Sequence, residues 1–219
     1  MSGQRGGIPC GMYLMGNQKI TTYPDQLRKQ TVLAKFGELA LKSDDLDKIL
    51  TEACRLVGEA FGTDLAKVMK LSADGETLLV RAGVGWKPGI VGVLTLRLTD
   101  STSEGLALKT GEPTISPNIA TEKRFKYPQF LIDNGVKAMA NVAILGSEAR
   151  PPFGILQIDS RVPRRFTDSD TAFLRSYANL VAAAVDRLRV ISEVRAARDD
   201  ADRANQAKSR FLANMMPRP

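Results

Sequence analysis

No glycine or proline interrupts the chain between Phe166 and Pro217. Thr167 offers a helix start, with Asp170 three residues on as in a capping box that has Asp in place of Glu. Nearly fifty residues without a breaker predict one helix reaching ~70 Å at ~1.5 Å per residue, far longer than a small domain. Such a helix projects and needs a partner along its length. Leu174, Val181 and Leu188 recur every seven residues, and Tyr177, Ala184 and Ile191 follow each by three. That is the a/d spacing of a coiled coil, so these six residues form the expected seam of a parallel homodimer. Past Ile191 the frame meets Arg195, Arg198 and Asp202 and fails. A second frame runs through Val194, Ala197, Ala201, Ala204, Lys208, Phe211 and Met215. The 3–3 step from Leu188 through Ile191 to Val194 resembles a stammer, which overwinds a coiled coil locally.

Ahead of this helix the pattern changes repeatedly. Gln26–Leu41 and the stretch after Ser43–Asp45 carry apolar residues at helical spacing, the second closing at Gly62. Leu65–Leu71 and Thr77–Val84 read as strands joined by a tight turn at Asp74-Gly75. Val93–Leu98 reads as a further strand and Ser101–Thr110 as a helix stopped by Gly111. Thr114–Ser116 is a short strand, Lys126–Asn134 a helix, and Lys137–Leu145 with Phe153–Asp159 a hairpin with Gly154 as its expected bulge. Helices at both ends and at least five hairpin-joined strands between them predict an α+β fold with an antiparallel sheet.

Composition narrows the chemistry. The 219 residues contain no histidine, which removes His-held haem, zinc sites with His ligands, His-based catalysis and His phosphorylation. Two cysteines, Cys10 and Cys54, make no disulfide framework and no CxxC spacing. No metal site is expected. No apolar run approaches the ~20 residues of a membrane span, and the N-terminus lacks signal-peptide order, so a cytoplasmic location is expected. The net charge of +7 is concentrated at the ends: Arg5 and Lys19 stand without acid in residues 1–24, and residues 189–219 hold seven bases against four acids. The clusters Lys123–Lys126 and Arg161–Arg165 read as solvated loop faces, and no nucleic-acid partner is expected. Gly83-Val84-Gly85 lacks the third Gly and the Lys-Ser/Thr of a phosphate loop and reads as a turn.

The order of elements resembles a GAF domain, the small-ligand sensory module of many bacterial signalling proteins. The residues that carry the likeness are LDKILTEACRLVGEAFGTDLAKVMKL, ETLLVRAGVGW, the TGEP turn at Thr110–Pro113, ATEKRF, the VAIL…PFGILQIDS hairpin and RRFTDSDTAFLRSYANLVAAAVDR, together spanning Leu46 to Arg187. Residues 202–215, DRANQAKSRFLANM, are similar to the first helix of the dimerisation domain of sensor histidine kinases. Residues 1–24, Gly-rich and without acid, are expected to be a disordered extension, and the resemblance implies a sensory domain over 25–188. A coiled-coil linker leading into the dimerisation helix follows over 189–219. It implies the input half of a two-component kinase, without phosphoacceptor histidine or ATP-binding region and so without enzymatic activity of its own.

A GAF fold binds ligands between its sheet and the helices crossing one face. By that analogy the candidate lining residues are Met69, Trp86, Leu106, Asn118, Phe125, Phe130, Met139 and Asn141, around an unidentified small molecule. The absence of histidine, and of a cysteine at the pocket position of bilin-binding relatives, argues against bilin and haem as cofactors. The cyclic-nucleotide signature of the family has no match, and Asn118–Phe125 only partly echoes it. Two alternatives remain open: a redox enzyme akin to free methionine sulfoxide reductase, which needs a thiolate and a resolving thiol, and a ligand-free dimerisation spacer.

Overall fold

The computed structural model describes residues 23–147 and 150–215, with side chains for 24–147 and 150–210. Cys10, residues 1–22 of the expected N-terminal extension, and the side chains of Phe211 and Met215 in the second seam lie outside these. Helix α1 (Tyr23–Lys42) takes in Tyr23 and Pro24, so the expected extension ends two residues earlier than 24. Helix α2 (Leu46–Phe61) starts where the Asp45 side chain accepts from Lys48 N and stops at Gly62, whose φ of 61° only glycine adopts freely.

Six strands follow in one antiparallel sheet: β1 (Leu65–Leu71), β2 (Thr77–Val84), β3 (Thr95–Arg97), β4 (Thr114–Ser116), β5 (Ala138–Ile144) and β6 (Gly154–Ser160). Their spatial order is β3-β2-β1-β6-β5-β4. Helices α3 (Ser103–Thr110) and α4 (Gln129–Asp133) lie between β3 and β5 in sequence, and α5 (Asp168–Met215) closes the chain. The α+β class and the order of elements agree with expectation. Thr167 N donates to Asp170 Oδ2 at 2.8 Å, and Asp170 N donates back to Thr167 Oγ1 at 3.2 Å, so the capping box with Asp in place of Glu forms.

Strand alternation sorts the side chains into two layers. Ala66, Val68, Ala140, Val142, Leu156 and Ile158 turn to the face covered by α1, α2 and α5. Met69, Ile155 and Ala143 turn the other way and pack with Ala107 of α3, while Leu65 and Met139 pack there with Leu131 of α4. The expected bulge lies elsewhere than Gly154. Val68 pairs with Ala82 and Met69 with Val80, leaving Arg81 of β2 as the extra residue. That insertion lets Leu78 and Val80 face α3 while Ala82 joins the helical layer. Gly154 is required for another reason: a Cβ there would lie 1.8 Å from the Met69 carbonyl oxygen.

The six-residue seam needs correction. Leu174, Tyr177, Val181 and Ala184 are buried inside the domain's own core, where Tyr177 Oη donates to Ala53 O at 3.1 Å and its ring lies 5.0 Å from that of Phe36. A helix laid across a sheet and two other helices buries a stripe at the same 3–4 spacing as a coiled coil, which produces the heptad pattern without a second chain. Leu188 and Ile191 are half-buried, and Val194 is 62% exposed. Of the six seam residues, only Leu188 and Ile191 therefore leave surface open to a second copy. Around these two residues the helix is held from two sides. Asp44, between α1 and α2, pairs with Arg187 and Arg195, and the β5–β6 loop meets α5 through Ser147 N donating to Asp186 Oδ2 and Arg150 pairing with Glu193.

Candidate ligand-binding site

The sheet face under α3 and α4 has apolar clusters at two ends and a polar band between them. The band comes from register: Lys67 pairs with Gln157 across β1–β6, and Gln157 with Asn141 across β5–β6. The next row sets Asp159 opposite Met139, and Met139 opposite Ser116. Lys67, Gln157, Asn141, Asp159 and Ser116 are all buried.

Lys67 Nζ donates to Asp159 Oδ2 at 3.0 Å and lies 4.2 Å from the centroid of the Trp86 ring and 5.5 Å from that of Phe130. Trp86 is fixed by donating from Nε1 to Ala66 O at 2.9 Å. Gln157 Nε2 donates to Asp159 Oδ1 at 2.6 Å. A second chain runs from Asn141 Nδ2 to Ser103 Oγ at 2.9 Å, and from Ser103 Oγ to Glu104 Oε2 at 3.0 Å. Ser103 and Glu104 occupy the first turn of α3, which the Thr102 N-cap orients by accepting from Gly105 N. Ser116 and Tyr127 share a hydrogen bond of 2.6 Å.

Two buried oxygens in this band have no partner among the described residues: Asn141 Oδ1 and Gln157 Oε1. Each costs ~1–3 kcal/mol when unmatched. Charge is also unbalanced. Burial pulls the Lys67 ammonium down and pushes the Asp159 carboxyl up, each countered by the other across their bond. Glu104 has no such neighbour: no lysine or arginine nitrogen of the described residues lies within ion-pair distance of it. Burial pushes its carboxyl above the ordinary glutamate range, held back in part by its own N–H, Lys67 and Ser103.

Glu104 also walls a cavity of about 250 Å³ between the β2–β3 ribbon, the start of α3 and the residues leading into α4. Leu78, Leu96 and Pro128 supply apolar walls, Tyr127 a hydroxyl, and the exposed Arg97 and Lys126 the rim. That volume holds roughly eight waters at ~30 Å³ each.

Of the residues expected to line the site, Trp86, Phe130, Met139 and Asn141 meet in or beside the polar band. Met69 joins the apolar cluster under α3, and Phe125 is buried beneath the Arg124 guanidinium. Leu106 is half-buried and outside the core clusters; α3 turns Ala107 to the sheet instead. Asn118 caps its own turn, accepting from Ala120 N. Lys67, Glu104, Gln157 and Asp159 were missed. A signal was present: in LAKVMKL and GILQIDS the residues alternating with Lys67, Gln157 and Asp159 are apolar, so both faces are buried and the polar members must be interior. The basic clusters serve contacts within the fold: Arg124 pairs with Glu122, Arg161 with Asp64, and Arg164 donates to Phe61 O.

Among the described residues no group of His, Cys, Asp and Glu could hold a metal, and no helix is long and apolar enough to cross a membrane. No curated protein matches the chain significantly. Solved structures match the fold. The GAF domain of a phosphoenolpyruvate-protein phosphotransferase from Coxiella burnetii is 18% identical, with a TM-score of 0.67 over 76% of this chain and 98% of that one. Free methionine-R-sulfoxide reductase from Neisseria meningitidis, in complex with its substrate, is 16% identical, with a TM-score of 0.63 over 78% and 95%. Residues 122 to 287 of a methyl-accepting chemotaxis protein are 16% identical, with a TM-score of 0.61 over 71% and 98%. The GAF domain model matches residues 45–185, which include both sheet faces and the band between Lys67 and Glu104. On that match and this fold, the chain belongs to the GAF domain family.

Proposed function

We propose that this chain is the small-ligand input module of a cytoplasmic two-component histidine kinase, acting as a homodimer that relays occupancy along α5. The observation that carries the reading is the buried polar band, with two unmatched acceptors and a lone carboxylate beside a cavity. An interior of that kind is completed by a bound polar group. A route to α5 is supported by the sheet itself: Asn141 faces the cavity side, while its neighbours Ala140 and Val142 pack in the layer containing α5. The likeness of Asp202–Met215 to a kinase dimerisation helix supports the output assignment. The half-buried Leu188 and Ile191 and the exposed Val190 and Val194 supply the start of a contact between two copies.

A reductase reading finds less support. The Cys54 thiol sits in the helical layer, on the opposite side of the sheet from the cavity, and burial pushes it up to about 12. A thiol held protonated there makes a poor nucleophile. Native mass spectrometry of the chain purified from its own host tests the proposal. The expected spectrum is a dimer carrying an added small-molecule mass. A monomer overturns the homodimer, and a dimer that stays bare after incubation with host metabolite extract overturns the sensor in favour of a ligand-free spacer.

A further inference from the structure

The cavity beside Glu104 has opposite charge at its two ends, and that pattern specifies a ligand class. Its inner end is acceptor-only. Glu104 lacks a cation within ion-pair distance, and through Ser103 it connects to Asn141, whose Oδ1 is one of the two orphaned oxygens. Lys67 does not fill the need, because its ammonium is already bonded to Asp159 and covered by Trp86 and Phe130. Counted together, one ammonium, Lys67, faces two buried carboxyl groups, Asp159 and Glu104. The outer end is the reverse: Arg97 and Lys126 are exposed at the rim and make no ion pair among the described residues. Between the two ends Leu78, Leu96, Leu98 and Pro128 supply apolar walls, beside Thr102 and Tyr127.

We propose that the cavity takes a small zwitterion, an amino acid whose ammonium group pairs with Glu104 and whose carboxylate meets Arg97 and Lys126 at the rim. This deepens the sensor reading and rests on it. An ammonium carries three N–H donors and no acceptor, which suits an inner end where a carboxyl oxygen lines the cavity. Attraction to a cation also offsets part of the cost of burying a carboxylate. The apolar walls then select the length and substituents of the carbon chain joining the two charges.

The test uses the full chain and unbranched ω-amino acids from glycine to 6-aminohexanoate, each beside the alkylamine and the carboxylate of the same length. Thermal unfolding and the emission of Trp86, the single tryptophan, are the readouts. At least one amino acid is expected to raise Tm in a concentration-dependent way, at least tenfold more potently than its matched amine or carboxylate. Glu104→Gln is expected to weaken that amino acid at least tenfold, and Arg97→Gln about threefold to tenfold. Circular dichroism confirms that both variants fold. Binding of a carboxylate or amine as tight as that of the amino acid, or binding indifferent to both substitutions, overturns the zwitterion and leaves the sensor reading intact. No response to any probe, together with no bound mass in the native spectrum, overturns both.

Discussion

Lys29 and Asp170 show how single side chains hold this domain closed. Lys29 Nζ donates to Asp170 Oδ1 at 2.6 Å and lies 5.3 Å and 5.7 Å from the Phe61 and Phe173 ring centroids, tying α1 to the start of α5. Burial alone would raise the Asp170 carboxyl; the Lys29 ammonium and the Thr167 N–H outweigh it and hold it below the ordinary aspartate value. Folding therefore favours the ionised form. The stabilisation is present above the unfolded pKa near ~4 and is lost as pH falls through the lower folded value. Asp170→Asn strands a buried ammonium, and the expected loss is ~3 kcal/mol, measured by urea unfolding at pH 7. A loss below ~1 kcal/mol would mean that the pair is solvated. Glu104 runs the opposite way: its raised pKa means that stability declines as pH rises from ~4.3 toward the folded value. Glu104→Gln is expected to flatten that decline in the unligated protein.

At the scale of elements, the sheet depends on two local irregularities that fix which residues share a face. The Arg81 bulge divides β2 between the layers, and Gly154 lets β6 approach β1 where any side chain would strike the Met69 carbonyl. Gly154→Ala is expected to destabilise by ~2–4 kcal/mol, through the clash and the positive φ, and to shift the thermal midpoint accordingly. An unchanged midpoint would show that the hairpin can slide. These elements also mark how far the sequence could be read. Strand and helix order, the Thr167–Asp170 box and the Asp74-Gly75 turn were legible because their signals are local. The bulge was not, since TLLVRAGV offers apolar residues to either face and no residue type marks Arg81 as extra. The α5 seam misled because Leu174, Tyr177, Val181 and Ala184 have the same spacing whether the covering surface belongs to the same chain or to another. In the candidate site, Trp86, Phe130, Met139 and Asn141, expected by analogy with the family, gather in or beside the polar band. Lys67, Gln157 and Asp159 escaped because a charged or amide residue in an alternating strand reads as solvent-facing until both faces are shown to be buried.

The whole molecule places its two proposed activities on opposite sides of one sheet. The cavity and polar band lie under α3 and α4; α5 lies across the other face and leaves the domain between Asp44 and the β5–β6 loop. The proposed ligand, paired with Glu104, would reach β5 through Ser103 and Asn141, and the loop that joins β5 to β6 touches α5 at Asp186 and Glu193. The proposed relay would need little energy, since the Asp44–Arg187, Asp44–Arg195 and Arg150–Glu193 contacts at the clamp are surface ion pairs, each worth only ~0–1 kcal/mol. Such weak contacts can be exchanged by a modest differential binding energy. The most direct measurement is hydrogen–deuterium exchange of the full chain with and without its bound small molecule. Slower exchange is expected in two separate regions: residues 99–128 around the cavity, and α5 beyond Asp186. Protection confined to the cavity would contradict the relay, and no protection in either region would contradict the site itself.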